Sequence, residues 1–407
     1  MLLAGSKLSK LVREPALALL WVQTCAGSEV IMKHWKETMQ VRPPTALPAE
    51  ADSGVGETSA VSEGSAPAAK LAQQQFPYVV KQTRTGSARP VFVVGCPRSG
   101  TTLLYHMILS SGDFAIFPFE SDTFRILAPR FPGLMSVADR KKLLDFWLGS
   151  ENGTRSGLDR SDIEQRTLEE CRTAGDFLRI VMEALCRKQC VHRWAEKTPD
   201  HTLYIAQIKH LFPDALVVHV IRDGRDAALS LANFGRISPI PWEMTSKLLS
   251  FGIYWKWMVQ KGRAAGRTIA PDYYELHFED LVQNPQETLA RLGEFIDHEM
   301  NYERILQVGV GSVSRPDSSF GSSSSAKGFK PVGRWNKYYS LEELARFEAL
   351  VGDCLEEVGY ALATSARQKP RTAVLIRAIS SFYTLQLEGK HRLKVGTPLG
   401  RLAGWRR

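Results

Sequence analysis

Cysteine is scarce in this chain, with six in 407 residues, at positions 25, 96, 171, 186, 190 and 354. No pair has Cys-x-x-Cys spacing and none groups with histidine, which excludes the common zinc sites and a disulfide-built scaffold. Cys186 and Cys190 stand at i, i+4, a spacing that fits two small apolar residues buried on one helix face. Long apolar runs are also missing. The best candidate, residues 16–22, lies between Pro15 and Gln23, far short of the roughly 20 residues that cross a bilayer. The N-terminus reads as an amphipathic lead segment, and the cytoplasm is the expected compartment. Charge of one sign is missing from most of the chain. The net charge is +9, yet residues 367–407 hold ten Lys or Arg against one acid, Glu388, while the rest balances at 42 basic and 42 acidic. The basic excess therefore describes a tail, and no nucleic-acid partner follows from it. There is no internal repeat.

What is present is an ordinary globular composition, 44% hydrophobic, and an alternation of strand and helix signals. Residues 43–75 are rich in Pro, Ala, Gly, Ser and Glu and read as a disordered linker. The expected layout is a lead segment at 1–42, that linker, a folded domain at 76–362 and a basic amphipathic tail at 363–407. Val91-Phe92-Val93-Val94 and Leu216 to Ile221 are continuous apolar runs, the mark of strands buried on both faces of a parallel sheet. Tyr274 to Phe278 is a third strand candidate. Helices are expected over most of 137–190, from Pro199 to about Phe212, from Arg225 to Asn233, and from Trp242 to Ala265. Asn284-Pro285 opens another helix, and Ser340 with Glu343 forms a capping box for the next. Residues 309–333, full of Ser and Gly, read as a mobile loop. The fold class is α/β: a three-layer sandwich with a central parallel sheet, like the phosphate-loop nucleoside-triphosphate hydrolases.

The first strand is followed by Gly95-Cys96-Pro97-Arg98-Ser99-Gly100-Thr101-Thr102 and then a helix. This is the layout of a phosphate loop, in which backbone amides and a helix N-terminus face an anion. An ATP-binding loop has Lys directly after its second Gly. Here that position is Thr101, and the cation, Arg98, lies inside the loop. The loop suits a smaller anionic group than a magnesium-bound triphosphate. A second element follows Ile221: Arg222-Asp223-Gly224-Arg225-Asp226, with Ser230 eight residues past Arg222. At the carboxyl end of a strand, Arg222 and Ser230 could hold a second phosphate. A solvated salt-bridge cluster with Asp223 and Asp226 is the alternative.

Together, Pro-Arg-Ser-Gly-Thr-Thr and Arg-Asp-Gly-Arg-Asp-x-x-x-Ser resemble the two signature elements of sulfotransferases that use 3'-phosphoadenosine 5'-phosphosulfate (PAPS). Glu196-Lys197-Thr198-Pro199 resembles the family's Lys-Thr-Pro turn. Phe278-Glu279-Asp280-Leu281 with Asn284-Pro285 resembles its Glu-Asp-Leu and Pro segment. The likeness spans roughly residues 90–360. It is nearer the tyrosylprotein and bacterial-type branch than the cytosolic small-molecule branch, because the loop has Arg98 for Lys and no Pro-His pair follows.

The resemblance implies PAPS as co-substrate and no metal. It implies that Pro97, Arg98, Ser99, Gly100, Thr101 and Thr102 hold the 5'-phosphosulfate. Arg222 and Ser230 would hold the 3'-phosphate. Lys327 and Arg334, in a Lys-Gly and Gly-x-Trp region, would close over it. Glu120 takes the place of the family's general base, with apolar neighbours Phe117, Phe119 and Phe124, and Arg98 and Lys197 would steady the leaving phosphate. A salt bridge from Glu120 to Arg125 is the alternative for that residue. His106 and His219 read as packed side chains. The acceptor is a small molecule, glycan, lipid or peptide, bound between residues 120 and 170 and near Trp242 to Trp257, where Trp255 and Trp257 could line the pocket, although at helical spacing they also fit the core. The apolar stripe Val374, Leu375, Ala378, Ile379, Phe382 and Tyr383, followed by Lys390, Arg392 and Lys394, would dock on the body or lie on an anionic membrane. Oligomeric state is not legible. Two rivals remain: a phosphate-loop phosphotransferase, and a non-catalytic nucleotide-binding module of the same fold.

Overall fold

In the computed structural model, four strands form one parallel sheet: β1 (Val91–Gly95), β2 (Ala195–Lys197), β3 (Leu216–Ile221) and β4 (Tyr273–His277), in the order β2-β1-β3-β4. The structure describes residues 89–234, 247–314, 330–364 and 370–397. All but Lys247 belong to one compact unit, 56–241 with 248–407. The lead segment, the linker, Trp242 and Lys327 lie outside the described residues.

The two central strands are buried along their whole length. Their side chains alternate between two cores, as the period of two requires. Phe92, Val94 and Val217 join one core with Phe117, Phe124 and Phe177. Val91, Val93, Val218 and Val220 join the other with Leu104, Ile108 and Leu289. The covering helices include α1 (Thr101–Ser110), α2 (Ala174–Gln189), α3 (Gly224–Phe234), α4 (Lys247–Arg267), α5 (Pro285–Ile296), α6 (Leu341–Glu357) and α7 (Pro370–Gly396). The three-layer α/β architecture is the one the apolar runs predicted. The register sets Val91 against both Ala195 and Leu216, and Val217 against Tyr273. The carboxyl ends of all strands therefore share one rim, where the loop, Lys197 and Arg222 emerge.

Local differences from the sequence reading have physical causes. Ala195–Lys197, read as part of a turn, is a fully buried edge strand too short to show a period. The helix expected from Pro199 splits into a 3₁₀ stretch, Pro199–Tyr204, and a helix, Ile205–Leu211. Thr198 gives no cap there, because its hydroxyl donates to Glu196 at 2.6 Å. Asn284 opens α5 with Pro285 in the first turn but makes no side-chain cap bond. Ser340 and Glu343 do form the capping box. Cys186 is buried but Cys190 is exposed. It ends α2 in a left-handed conformation (φ 54°), so the two do not share a buried face.

Among the described residues no helix is long and apolar enough to cross a membrane. The basic tail is docked where it is described. Tyr383 and Leu387 of α7 are buried, and Glu388 accepts from Trp257 Nε1 at 2.8 Å while pairing with Lys261 at 2.6 Å. Phe382, expected in the docking stripe, is 44% exposed.

The charged run after β3 is not solvated. Arg222, Asp223, Arg225 and Asp226 are all buried. Arg225 pairs with Asp223 and with Glu348 of α6, both at 2.7 Å. Glu348 also accepts from the amides of Ala363 and Thr364 at 3.0 and 2.9 Å, so it ties α3 to the end of the domain. Glu348→Ala should destabilise the fold by about 1–3 kcal/mol, because Arg225 keeps Asp223 but its Nη1 and the amides of Ala363 and Thr364 lose their acceptor. Urea unfolding measures this, and an unchanged midpoint would contradict the assignment.

Candidate active site

The loop between β1 and α1 turns on two left-handed residues, Arg98 (φ 72°) and Gly100 (φ 91°). Gly100 has a further constraint: a Cβ there would lie 2.1 Å from the ring of Phe278. The Ser99 amide donates to the Cys96 carbonyl at 3.1 Å and closes the turn. Helix α1 has no acid in its first turn. Its first amide with an intrahelical acceptor is that of Leu104, bonded to Gly100 at 3.2 Å. The amides before it are left for an external acceptor. Pro97, Ser99 and Thr101 are buried, and Thr102 is half-buried.

Positive charge gathers over this loop. Arg98 Nε donates to Ser230 Oγ at 3.1 Å. Arg222 donates to the carbonyls of Arg98 and Pro331 at 2.9 and 2.6 Å. The Arg98 pKa is drawn down to about 10, first by burial and then by the nearby guanidiniums of Arg222 and Arg334. Burial also lowers that of Arg222. Crowded like charges beside free helix amides are what an oxyanion would relieve. Two further donors await such a group. Ser99 Oγ and Arg222 Nε are buried with no partner among the described residues. The donor set therefore fits a ligand rich in anionic oxygens. Arg98, Ser99, Arg222, Ser230 and Arg334, singled out from sequence, are brought together. Lys327 lies outside the described residues.

Several residues of this site were not assigned from sequence. Asp226 accepts from the amides of Gly333 and Trp335 at 2.7 and 2.9 Å, which fixes the late segment carrying Arg334. Trp335 lies under Arg225, 3.9 Å from its guanidinium carbon. Trp255 is fully buried and donates to the Arg222 carbonyl at 3.0 Å, so it supports the site from within the core. Glu279 accepts from the Asp223 amide at 3.0 Å and from Tyr360 at 2.7 Å. Phe278 packs under Arg222 at 4.7 Å. The acids after Arg222 and the Phe-Glu-Asp-Leu run carried this signal, but nothing in their spacing said which partner each would take.

On the β2 side, Lys197 is buried and its ammonium lies 3.0 Å from Glu120 Oε1, whose side chain is 41% exposed. Glu120 thus sits on a lysine, not within the apolar pocket of phenylalanines expected for it, nor on Arg125. That arginine pairs with Asp122 at 2.6 Å and Asp200 at 3.6 Å. The segment after Glu120 is held by Glu196, which is fully buried. Its carboxylate accepts from Ser121 at 2.7 Å, Thr198 at 2.6 Å and His201 Nδ1 at 2.9 Å. The His201 ring in turn meets the Phe124 amide through Nε2 at 3.3 Å, so it bridges Glu196 and the Phe124 backbone. These donors hold Glu196 ionised: its pKa stays below the usual carboxyl value although burial opposes this. His106 and His219 are packed, on Ser312 and Tyr273 respectively, and burial pushes their pKa values down to about 4 and about 3. Among the described residues no cluster of His, Cys, Asp or Glu could hold a metal.

Residues 90–302, half of the chain, match the model of the Sulfotransferase family. The chain belongs to the sulfotransferase family. The enzyme transfers a sulfuryl group from PAPS. A Caenorhabditis briggsae relative carries the provisional name protein-tyrosine sulfotransferase and is 22% identical over 286 residues, 68% of this chain and 90% of the relative. Among solved structures, the sulfotransferase domain of the Synechococcus olefin synthase is 16% identical, with a TM-score of 0.40, over 75% of this chain and 95% of that one. A mouse sulfotransferase complexed with PAP, the product left by PAPS, is 14% identical, with a TM-score of 0.36, over 73% and 90%.

In this sulfotransferase Ser99→Ala separates binding from folding. Its hydroxyl has no partner among the described residues, so stability should hold while PAP affinity falls by roughly 1.5–3 kcal/mol, the range for a hydrogen bond to a charged group. Calorimetry and thermal unfolding read the two effects. A loss of stability without a loss of affinity would remove Ser99 from the donor site.

Proposed function

We propose that Glu120 is the general base, that Lys197 and Arg98 neutralise the leaving phosphate, and that the acceptor is a hydroxyl. The observation that carries this reading is the 3.0 Å contact between Glu120 and the buried Lys197, which pairs with Val93 of β1 two residues before the loop. A base and a cation thus stand side by side at the end of the sheet, next to the donor loop.

The chemistry is an in-line displacement of the kind known for phosphoryl transfer. Glu120 accepts the proton of the acceptor hydroxyl as that oxygen bonds to sulfur. Lys197 and Arg98 take up the charge that develops on the 5'-phosphate oxygen as its bond to sulfur breaks. The loop amides and Ser99, Thr101 and Thr102 hold the phosphate, and Pro97 fixes the turn. Arg222, Ser230 and Arg334 serve the 3'-phosphate side. Arg98 has a double role, since it spans from the loop to Ser230. The Glu196 network keeps the Glu120 segment in place, which is the preorganisation such a step needs. The transfer domain is taken to run over 76–362. Within the tail at 363–407, α7 is read as part of the enzyme body, not as a membrane contact, because Tyr383 and Leu387 are buried. A phosphotransferase is not favoured, since Thr101 stands where a triphosphate site needs lysine.

Glu120→Gln should lower kcat by about 10²–10⁴-fold, the share of a general base, and leave PAP affinity unchanged. Labelled PAPS with a panel of phenols, glycans, peptides and lipids measures the first effect, and calorimetry the second. Turnover close to wild type would remove Glu120 from the chemistry.

A further inference from the structure

The stretch that carries Glu120, residues 116–122, belongs to no helix or strand. No ladder fixes its backbone, so its amides and carbonyls must find other partners. Side chains supply them. Gln189 brackets Ile116, accepting from its amide at 2.7 Å and donating to its carbonyl at 3.1 Å. Tyr105 donates to the Phe117 carbonyl at 2.6 Å. Thr198 accepts from the Asp122 amide at 3.2 Å. At Glu120 itself the partner is Asn152, whose Nδ2 donates to the Glu120 carbonyl at 2.7 Å. A carbonyl only accepts, so the amide nitrogen of Asn152 is the atom that faces it.

Asn152 lies on a short helix outside the sheet, Glu151–Ser156, and that helix is placed without its side chain. Ser150 caps it, accepting from the Gly153 amide at 3.1 Å and donating to the Trp147 carbonyl at 2.5 Å. Thr154 donates to the Ser150 carbonyl at 3.0 Å. Gly153 approaches Trp147 so closely that a Cβ would lie 2.1 Å from its carbonyl oxygen, and Trp147 packs edge-on against the buried Phe177. Arg155 covers the ring of Phe119 at 3.9 Å, the residue before Glu120. The Asn152 amide is therefore spare to the helix and spent on the Glu120 backbone. Lys197, from β2, holds the carboxylate of the same residue at 3.0 Å. Backbone and side chain of Glu120 are thus each fixed by a donor, from two separate elements.

We infer that Asn152 is a positioning residue for sulfuryl transfer: its amide fixes the Glu120 backbone, so that the carboxylate stands at a set place beside Lys197. This rests on the reading of Glu120 as the base.

Kinetics with labelled PAPS and three probe acceptors, 4-nitrophenol, methyl β-glucoside and a tyrosine peptide, test it, with the fastest probe used throughout. Asn152→Ala and the near-isosteric Asn152→Asp, which lacks the donor, should each lower kcat about 10–100-fold, the scale of a small misplacement of a reacting group. Acceptor KM, PAP affinity and melting temperature should match the wild type. A double variant separates positioning from general damage. Added to Glu120→Gln, Asn152→Ala should lower kcat no further, because a residue acting through Glu120 has nothing left to place. The same loss in both backgrounds overturns the proposal. So does an unchanged kcat in the single variants, or a loss of turnover that only follows a lower melting temperature. If Glu120→Gln keeps wild-type turnover, the base reading fails, and hydrogen exchange then judges Asn152 independently of turnover. Faster exchange in Asn152→Ala confined to the peptide 117–124 supports the placement, and unchanged exchange there overturns it.

Discussion

Arg222 sits at the end of the central strand β3, and most of the donor site depends on how it is held. Its guanidinium is buried, lies on the ring of Phe278, and donates to carbonyls of both the phosphate loop and the late segment. Its own carbonyl accepts from Trp255 of α4. One side chain thus joins four parts of the chain that are far apart in sequence. Burying a guanidinium is costly unless its donors are used, and Arg222 still has Nε unpartnered. The constraint therefore assembles this cluster and leaves Arg222 Nε without a partner among the described residues, a donor for the ligand proposed there.

The neighbouring acids divide the work. Asp223 and Glu348 neutralise Arg225, which keeps that arginine structural. Asp226 is spent on backbone amides of the late segment. The guanidiniums of Arg98, Arg222 and Arg334 are left crowded, as the depressed pKa of Arg98 records. Electrostatic preorganisation of this kind places the cost of gathering charge in the folded protein and not in the reaction step.

The acceptor side is built by a different device. Glu196, fully buried, gathers two hydroxyls and an imidazole. It orders the backbone between Glu120 and Phe124 without touching the reaction itself. Glu120 remains part-exposed and meets Lys197. A rigid donor half and a more open acceptor half suit an enzyme that binds one fixed co-substrate and a separate acceptor.

The amino-acid sequence determined the layers and the donor. Continuous apolar runs point to strands covered on both faces, and Thr101 in place of lysine, with Arg98 inside the loop, argues against a triphosphate site. These are local facts, and local patterns carry them. The three-residue strand β2 was hidden because it is shorter than any period. The partner of each charged residue was hidden for another reason: pairing is set by distances across the fold. Glu120 was expected among phenylalanines and lies on Lys197. The run Arg222 to Asp226 had a solvated reading and is buried. Only the tertiary structure decided that Asp226 holds the Arg334 segment and that Glu388 of α7 meets Trp257, because these contacts join residues more than a hundred positions apart along the chain.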